Sequence, residues 1–492
     1  MSPDDTRSSD DRTRGVSPSS RTPGDPGPHG SDPHGPDPSD TTVSPIRVQR
    51  IYYATGALFT LATSIIWGVN TLFLLDAGLD IFGVMVVNAT FSVGQIVFEV
   101  PTGVIADTVG RRASFLIGIA ALMIATLGYV GSAVFAWGMP GFILASILIG
   151  FGFTCQTGAV DAWLVDALDF AGYEGKKDQV FARGGMFIGV SMLVGTLGGG
   201  FLGQLSLSLP YYVRAGLLLA AFALTLVFMR DFGFSPRPLK LSRFGDESRK
   251  IFAAGIDHGW RHPVVRPLLF VSLFEGVLIW YLFYASQPYA LELLGNENLV
   301  WVAGAVTALF ALSGVAGNAL VKRLSRSRFG KRPASILVAA SAAMAALAVG
   351  MGVTGLLAPE GGDLVAFAVL VVMLGGFGVV TGIAGPVRQA YINEQIPSAQ
   401  RATVLSFDSF FADIGAVAGQ LGLGAIAQVA SKALAYTIGG VISLAAAPLY
   451  RRAGQASETE VDLETCLEEA PGATIPCLTV PGDLKTTAGR RL

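Results

Sequence analysis

Between residues 51 and 450 the chain alternates long apolar runs with short polar breaks. Twelve of these runs reach the length a membrane helix needs, about 20 residues for a hydrocarbon core of about 30 Å. Six lie near 51–75, 81–106, 113–136, 141–168, 180–205 and 210–230. Six more lie near 266–288, 300–322, 333–356, 364–387, 403–428 and 432–450. We number them spans 1 to 12. A polar stretch, FGFSPRPLKLSRFGDESRK and its continuation to about residue 265, divides the two sets. The pattern predicts an all-α membrane protein with a polar central loop over 233–265.

The loops set an orientation. Arg111 and Arg112 follow span 2, and Lys176, Lys177 and Arg183 follow span 4. Lys322, Arg323, Arg326, Arg328, Lys331 and Arg332 follow span 8, and Arg388 and Arg401 flank the loop after span 10. The alternate loops, LLDAGLD, AWGMPG, LELLGNEN and LAPEGGD, carry no basic residue, and Lys432 alone breaks the pattern. Basic loops favour the cytoplasmic side, so both termini are expected in the cytoplasm of a multi-pass cell-membrane protein. Residues 1–45 are rich in Pro, Ser, Asp and Gly and cannot bury enough apolar surface to offset their ordering entropy. They read as a disordered tail, as does the acidic segment 453–492.

Composition excludes several classes. Charged residues make up only 14% of the chain, against about 25% in soluble domains. The net charge of -2 does not suit a nucleic-acid face. Three scattered cysteines give neither a disulfide framework nor a zinc site. No histidine lies in an apolar run, and no Gly-x-x-x-x-Gly-Lys-Ser/Thr loop is present. No enzyme activity, cofactor or metal is expected.

The loop after span 2 reads FEVPTGVIADTVGRR. Its Gly103, Asp107, Gly110, Arg111 and Arg112 resemble the signature loop of the major facilitator superfamily. A weaker echo, GNALVKRLSRSRFGKR, leaves span 8. The resemblance covers roughly 46–452. It implies two pseudo-symmetric six-helix bundles, 46–232 and 266–452, that work by alternating access. It also implies that the loop forms a cytoplasmic latch between spans 2 and 11, holding the outward-facing state. Candidate latch partners are Asp161 or Asp166 at the end of span 4 and Asp408 at the start of span 11. The two span-4 acids are five residues apart, about 140° around a helix, so one would serve the latch and the other meet Arg183. Glu99 is expected to serve structure or gating.

Ionisable side chains inside a span cost about 2.5–3.5 kcal/mol on insertion scales and are functional candidates. Glu275 in span 7 and Asp413 in span 11 are both deep; Asp413, like Glu99, is expected to serve structure or gating, with coupling as its alternative. Glu275 is the first candidate for proton coupling, with Trp280, Tyr281, Tyr284 and Gln287 extending a lining outward from it. Arg214 opens span 6, where Asp76 is a possible partner. The family lines its cavity with spans 1, 4, 7 and 10. That adds Trp67 and Asn70 on span 1, and Thr154 and Gln156 on span 4, as substrate contacts. Drug antiporters of the family carry an arginine where Phe153 stands here, and a Gly-Pro pair where Gly195 to Gly200 has no proline.

The run Arg401-Ala402-Thr403 resembles bacterial efflux-type members. The expected function is secondary, proton-coupled efflux of a small amphipathic compound, a drug or natural product, by a monomer in the bilayer. The alternatives are a sugar or metabolite importer and a membrane sensor that transports nothing.

Overall fold

The computed structural model describes residues 43–233, 256–326, 332–396 and 401–469. The leading tail, the central loop from 234, the Gly330-Lys331 part of the loop echo and the chain from 470 lie outside them. Among the described residues the structure is helical throughout. The helices are α1 Pro45–Ser64, α2 Asn70–Asp76, α3 Ile81–Val109, α4 Arg111–Val134, α5 Gly138–Gln156, α6 Ala159–Phe170, α7 Lys177–Leu205 and α8 Leu209–Phe228. After a π-helical turn, Ile256–Trp260, come α9 Val265–Leu294, α10 Val300–Ser325, α11 Pro333–Leu357, α12 Leu364–Glu394, α13 Arg401–Val429, α14 Lys432–Ser443 and α15 Ala446–Glu469.

Three spans are broken. Span 1 is α1 and α2, span 4 is α5 and α6, and span 12 is α14 and α15. Span 4 breaks at Gly158, whose φ of +76° suits glycine. Span 1 is interrupted over 65–69. Among the described residues eleven segments are long and apolar enough to cross a membrane, and broken span 1 completes the twelve. The last helix does not stop at 452, where the disordered acidic tail is expected to begin, but continues to Glu469.

Helix packing repeats between the halves. Span 1 packs on 5 as 7 packs on 11, 2 on 4 as 8 on 10, and 3 on 6 as 9 on 12. Small residues make these approaches possible. A Cβ at Gly199 would strike the Ile65 carbonyl, and one at Gly419 would lie 2.0 Å from the Val277 carbonyl oxygen. The halves meet where span 2 packs on 11 and 5 on 8.

We call the end that carries the Arg- and Lys-rich loops the basic end, and the other the acidic end. Lys432, the stray base at the acidic end, is neutralised there by Glu292 Oε2 at 2.5 Å.

Candidate functional site

A cavity of about 430 Å³ lies between the halves. Its wall is mostly apolar and aromatic, from Trp67 of the broken span 1, Phe91 of α3, Phe153 of α5, Trp280, Phe283 and Tyr284 of α9 and Phe310 of α10. Asn70, Asn88, Gln95, Arg214 and Asp413 supply the polar groups. Helix periodicity explains the α9 contribution. Residues three and four apart share a face, so Trp280, Phe283 and Tyr284 point inward together. Tyr281 turns the other way, into the core against Tyr436.

The roof of the cavity, at the acidic end, is a lock between the halves. In an unbroken span 1 the Thr71 N–H would donate to the Trp67 carbonyl, an i to i−4 pair. Gln287 takes both positions instead. Its Nε2 donates to Trp67 O at 2.7 Å, and its Oε1 accepts from Thr71 N at 3.2 Å. Pro288 cannot donate to the carbonyl four residues back, and that freed Tyr284 carbonyl accepts from Thr71 Oγ1 at 2.9 Å. A second glutamine works in the opposite sense. Gln204 of α7 donates to Asn298 O at 2.8 Å and accepts from Trp301 N at 3.3 Å, one of the unpaired N–H groups that begin α10. Between these clamps the backbones touch: a Cβ at Gly304 would sit 2.7 Å from the Gly200 Cα, and one at Gly68 2.6 Å from the Gly304 Cα.

Toward the basic end the cavity wall continues along α3 from Gln95. Gln95, Glu99 and Gly103 form an i, i+4, i+8 stripe down α3. Glu99 and Gly103 are exposed, and a Cβ at Gly103 would meet nothing within 4 Å. Gly103 therefore marks no close helix approach here, and Gly110, with φ +113°, makes the turn. Glu99 is within electrostatic reach of Asp413.

The loop residues pair locally. Arg111 Nη1 lies 2.7 Å from Asp107 Oδ1, one turn back. Arg112 donates through its backbone N–H to Asp231 at 2.9 Å and through Nη2 to the Leu226 carbonyl at 2.6 Å, so it ties the loop to the end of α8. Burial raises the Asp231 carboxyl from its ordinary range, and the neighbouring Arg112 opposes that rise. Asp161 accepts from the Tyr52 hydroxyl at 3.0 Å. Asp166 lies near Asp231, and Arg183 is exposed near Tyr53.

Asp408 is not joined to this loop. Arg388 of α12 grips it at 2.9 and 2.5 Å, and Ser272 of α9 donates to it at 2.5 Å. Arg388 also donates to Ser272. Glu275, one turn above Ser272, accepts from Tyr450 at 3.1 Å. Four helices of the second half thus share one buried charged cluster, and Glu275 belongs to it rather than to the cavity wall.

Of the substrate candidates, Trp67, Asn70, Trp280, Tyr284 and Asp413 converge on the cavity. Thr154 does not; its hydroxyl donates to its own helix at Phe151 O. Gln156 also lies off the wall. Arg214, for which the sequence offers Asp76 as a possible partner, borders the cavity, with no bond to that acid. Asn88, Gln95 and Tyr129 escaped the sequence reading. Asn88 and Gln95 could have been found as polar residues within the apolar run of span 2.

Residues 52–419 match the family model of the Major Facilitator Superfamily. The chain is 26% identical over 384 residues to the class C tetracycline resistance protein of Escherichia coli, covering 75% of this chain and 87% of that one. It is 24% identical over 409 residues to the MFS-type transporter YxaM of Bacillus subtilis (strain 168), covering 80% and 89%. Among solved structures, the nucleoside transporter NupG superposes with a TM-score of 0.67 at 12% identity, covering 82% of this chain and 98% of its own. A D-xylose-proton symporter superposes with 0.62 at 15% identity, covering 82% and 97%.

Proposed function

The chain belongs to the major facilitator superfamily, whose members are transporters and not enzymes, and from that premise we propose that it exports small amphipathic compounds in exchange for protons. The observation that carries the reading is the chamber itself. It is aromatic, lies beneath the Gln287 lock at the acidic end, is continued toward the basic end by the exposed Glu99 and Gly103, and has one carboxylate, Asp413, among its lining residues. An ionised carboxylate among apolar walls is costly, so its protonation is tied to which compartment the chamber faces. Asp413, with Glu99 in reach, is therefore the first coupling candidate, and Glu275 the second. The relative named a tetracycline resistance protein supports export as the direction.

The protein works as a monomer in the cell membrane with its basic end in the cytoplasm, so this conformation faces inward. Asp107, Arg111 and Arg112, paired within their own half here, are latch residues waiting for the opposite state. Proteoliposomes with an imposed pH gradient test the reading, using a panel of amphipathic drugs. Wild-type efflux is expected to accelerate at least fivefold when protons can flow inward, and Asp413→Asn to abolish that acceleration. Wild-type transport that ignores the gradient would sink proton coupling. An Asp413→Asn protein that keeps its pH dependence while Glu275→Gln loses it would move coupling to the buried cluster.

A further inference from the structure

Arg214 is only 2% exposed and borders the cavity. It lies in the second turn of α8, about 7 Å from the acidic end of that helix at 1.5 Å per residue. Its Nε and Nη2 have no hydrogen-bond partner, and no carboxylate is bonded to them. The ionisable groups it faces are the phenols of Tyr129 and Tyr211.

Asn88 completes the corner. Tyr211 donates its hydroxyl to Asn70 Oδ1 at 2.9 Å, and Asn70 Nδ2 donates to Asn88 Oδ1 at 3.0 Å. That relay fixes the Asn88 amide with its Nδ2 left over, and this atom too is buried without an acceptor. Three donor atoms of residues that border the cavity thus lack acceptors, and each lies sealed just beneath its surface, so a ligand reaches them through a local side-chain shift. Each such buried donor costs about 1–3 kcal/mol, and more when charged. A guanidinium presents two parallel N–H groups to a planar oxyanion.

We propose that this corner is the anion subsite of the transport chamber. It takes an organic anion, whose carboxylate or similar oxyanion seats on Arg214 and Asn88 and whose aromatic body lies against Trp67, Phe283 and Tyr284. The inference rests on the reading of the cavity as the transport site, and it names the substrate class of that site. Asp413, on the wall away from the roof, is then free to carry the coupling proton.

The test uses three probes with one aromatic body: 2-naphthoate, neutral 2-naphthamide and cationic 2-naphthylmethylammonium. Each is titrated into the purified full-length chain, with tryptophan quenching and thermal shift as readouts. Naphthoate is expected to bind at least tenfold more tightly than the other two. Arg214→Met should lose at least tenfold in naphthoate affinity with naphthamide unchanged. Its ligand-free melting temperature should not fall, because an unpaired buried charge has been removed; a merely structural arginine would give the reverse. Asn88→Asp supplies Arg214 with an internal counter-ion and should abolish the preference for naphthoate in a folded protein. No naphthoate preference in the wild type, or a preference that survives either variant, overturns the proposal. If naphthamide or the cation then binds and Phe283→Ala weakens it, the chamber reading stands and only the anion subsite falls. If none of the three binds, both fall.

Discussion

At the acidic end the two halves meet through neutral groups, two glutamine amides and a set of glycine backbones. At the basic end the ion pairs seen among the described residues lie inside a half. Asp107 with Arg111 and Asp169 with Lys177 lie in the first half, and Arg388 with Asp408 in the second. The difference follows from what each contact has to do. A contact across the halves must break and re-form in every cycle of alternating access, so it suits hydrogen bonds worth about 1 kcal/mol net. A contact within a half can be permanent, so it tolerates a buried ion pair whose loss would cost about 3–5 kcal/mol.

The largest expected effect tests the permanent side. Asp408→Asn removes the carboxylate bonded to the Arg388 guanidinium and leaves only the more distant Glu275, so it should destabilise the second half by up to about 3–5 kcal/mol. Thermal unfolding in detergent measures this; an unchanged melting temperature would mean the cluster is not structural. Next is the glycine contact. Gly304→Leu drives a side chain into the Gly200 backbone, an overpacking of about 1–3 kcal/mol levied only when the acidic end closes. Transport should fall about tenfold, and a cysteine at Asn298 should label faster with a membrane-impermeant maleimide.

Gln287→Ala is predicted to cost less, about 1 kcal/mol. Once the glutamine is gone, Thr71 N can reach Trp67 O and restore the helical bond. The lock should loosen without unfolding, visible as faster labelling at the acidic end with an unchanged melting temperature. Asp107→Asn is the smallest in stability, about 0.3–0.5 kcal/mol for a half-exposed i, i+4 pair. It should nonetheless slow turnover with substrate affinity intact, if the loop latches the opposite state. Lost affinity would tie Asp107 to the chamber instead.

The comparison also separates what could be read in advance from what could not. Span number and class were legible because hydropathy over about 20 residues is a local property of the chain. Trp67, Asn70, Trp280, Tyr284 and Asp413 could be singled out as polar or aromatic positions within apolar spans, and the structure puts them on one cavity. The partners of the charged groups were not legible. Glu275 and Asp413 look equivalent along the chain, both acids deep in apolar runs, yet one is held by Tyr450 in a four-helix cluster and the other faces the cavity.

Which spans exist and which loops are basic came from the sequence alone, through the free energy of placing each side chain in lipid. The break in span 1 also left a trace there, in Gly68 between Trp67 and Asn70. What that break meets was decided by the tertiary structure: the amide of Gln287 supplies the missing backbone bonds from 220 residues away. The direction of Arg214 was decided there too. A helix fixes the spacing of its side chains but not its own rotation. Rotation is set by which small residues let neighbouring backbones touch, and from it follows whether a charge finds a partner or an empty chamber.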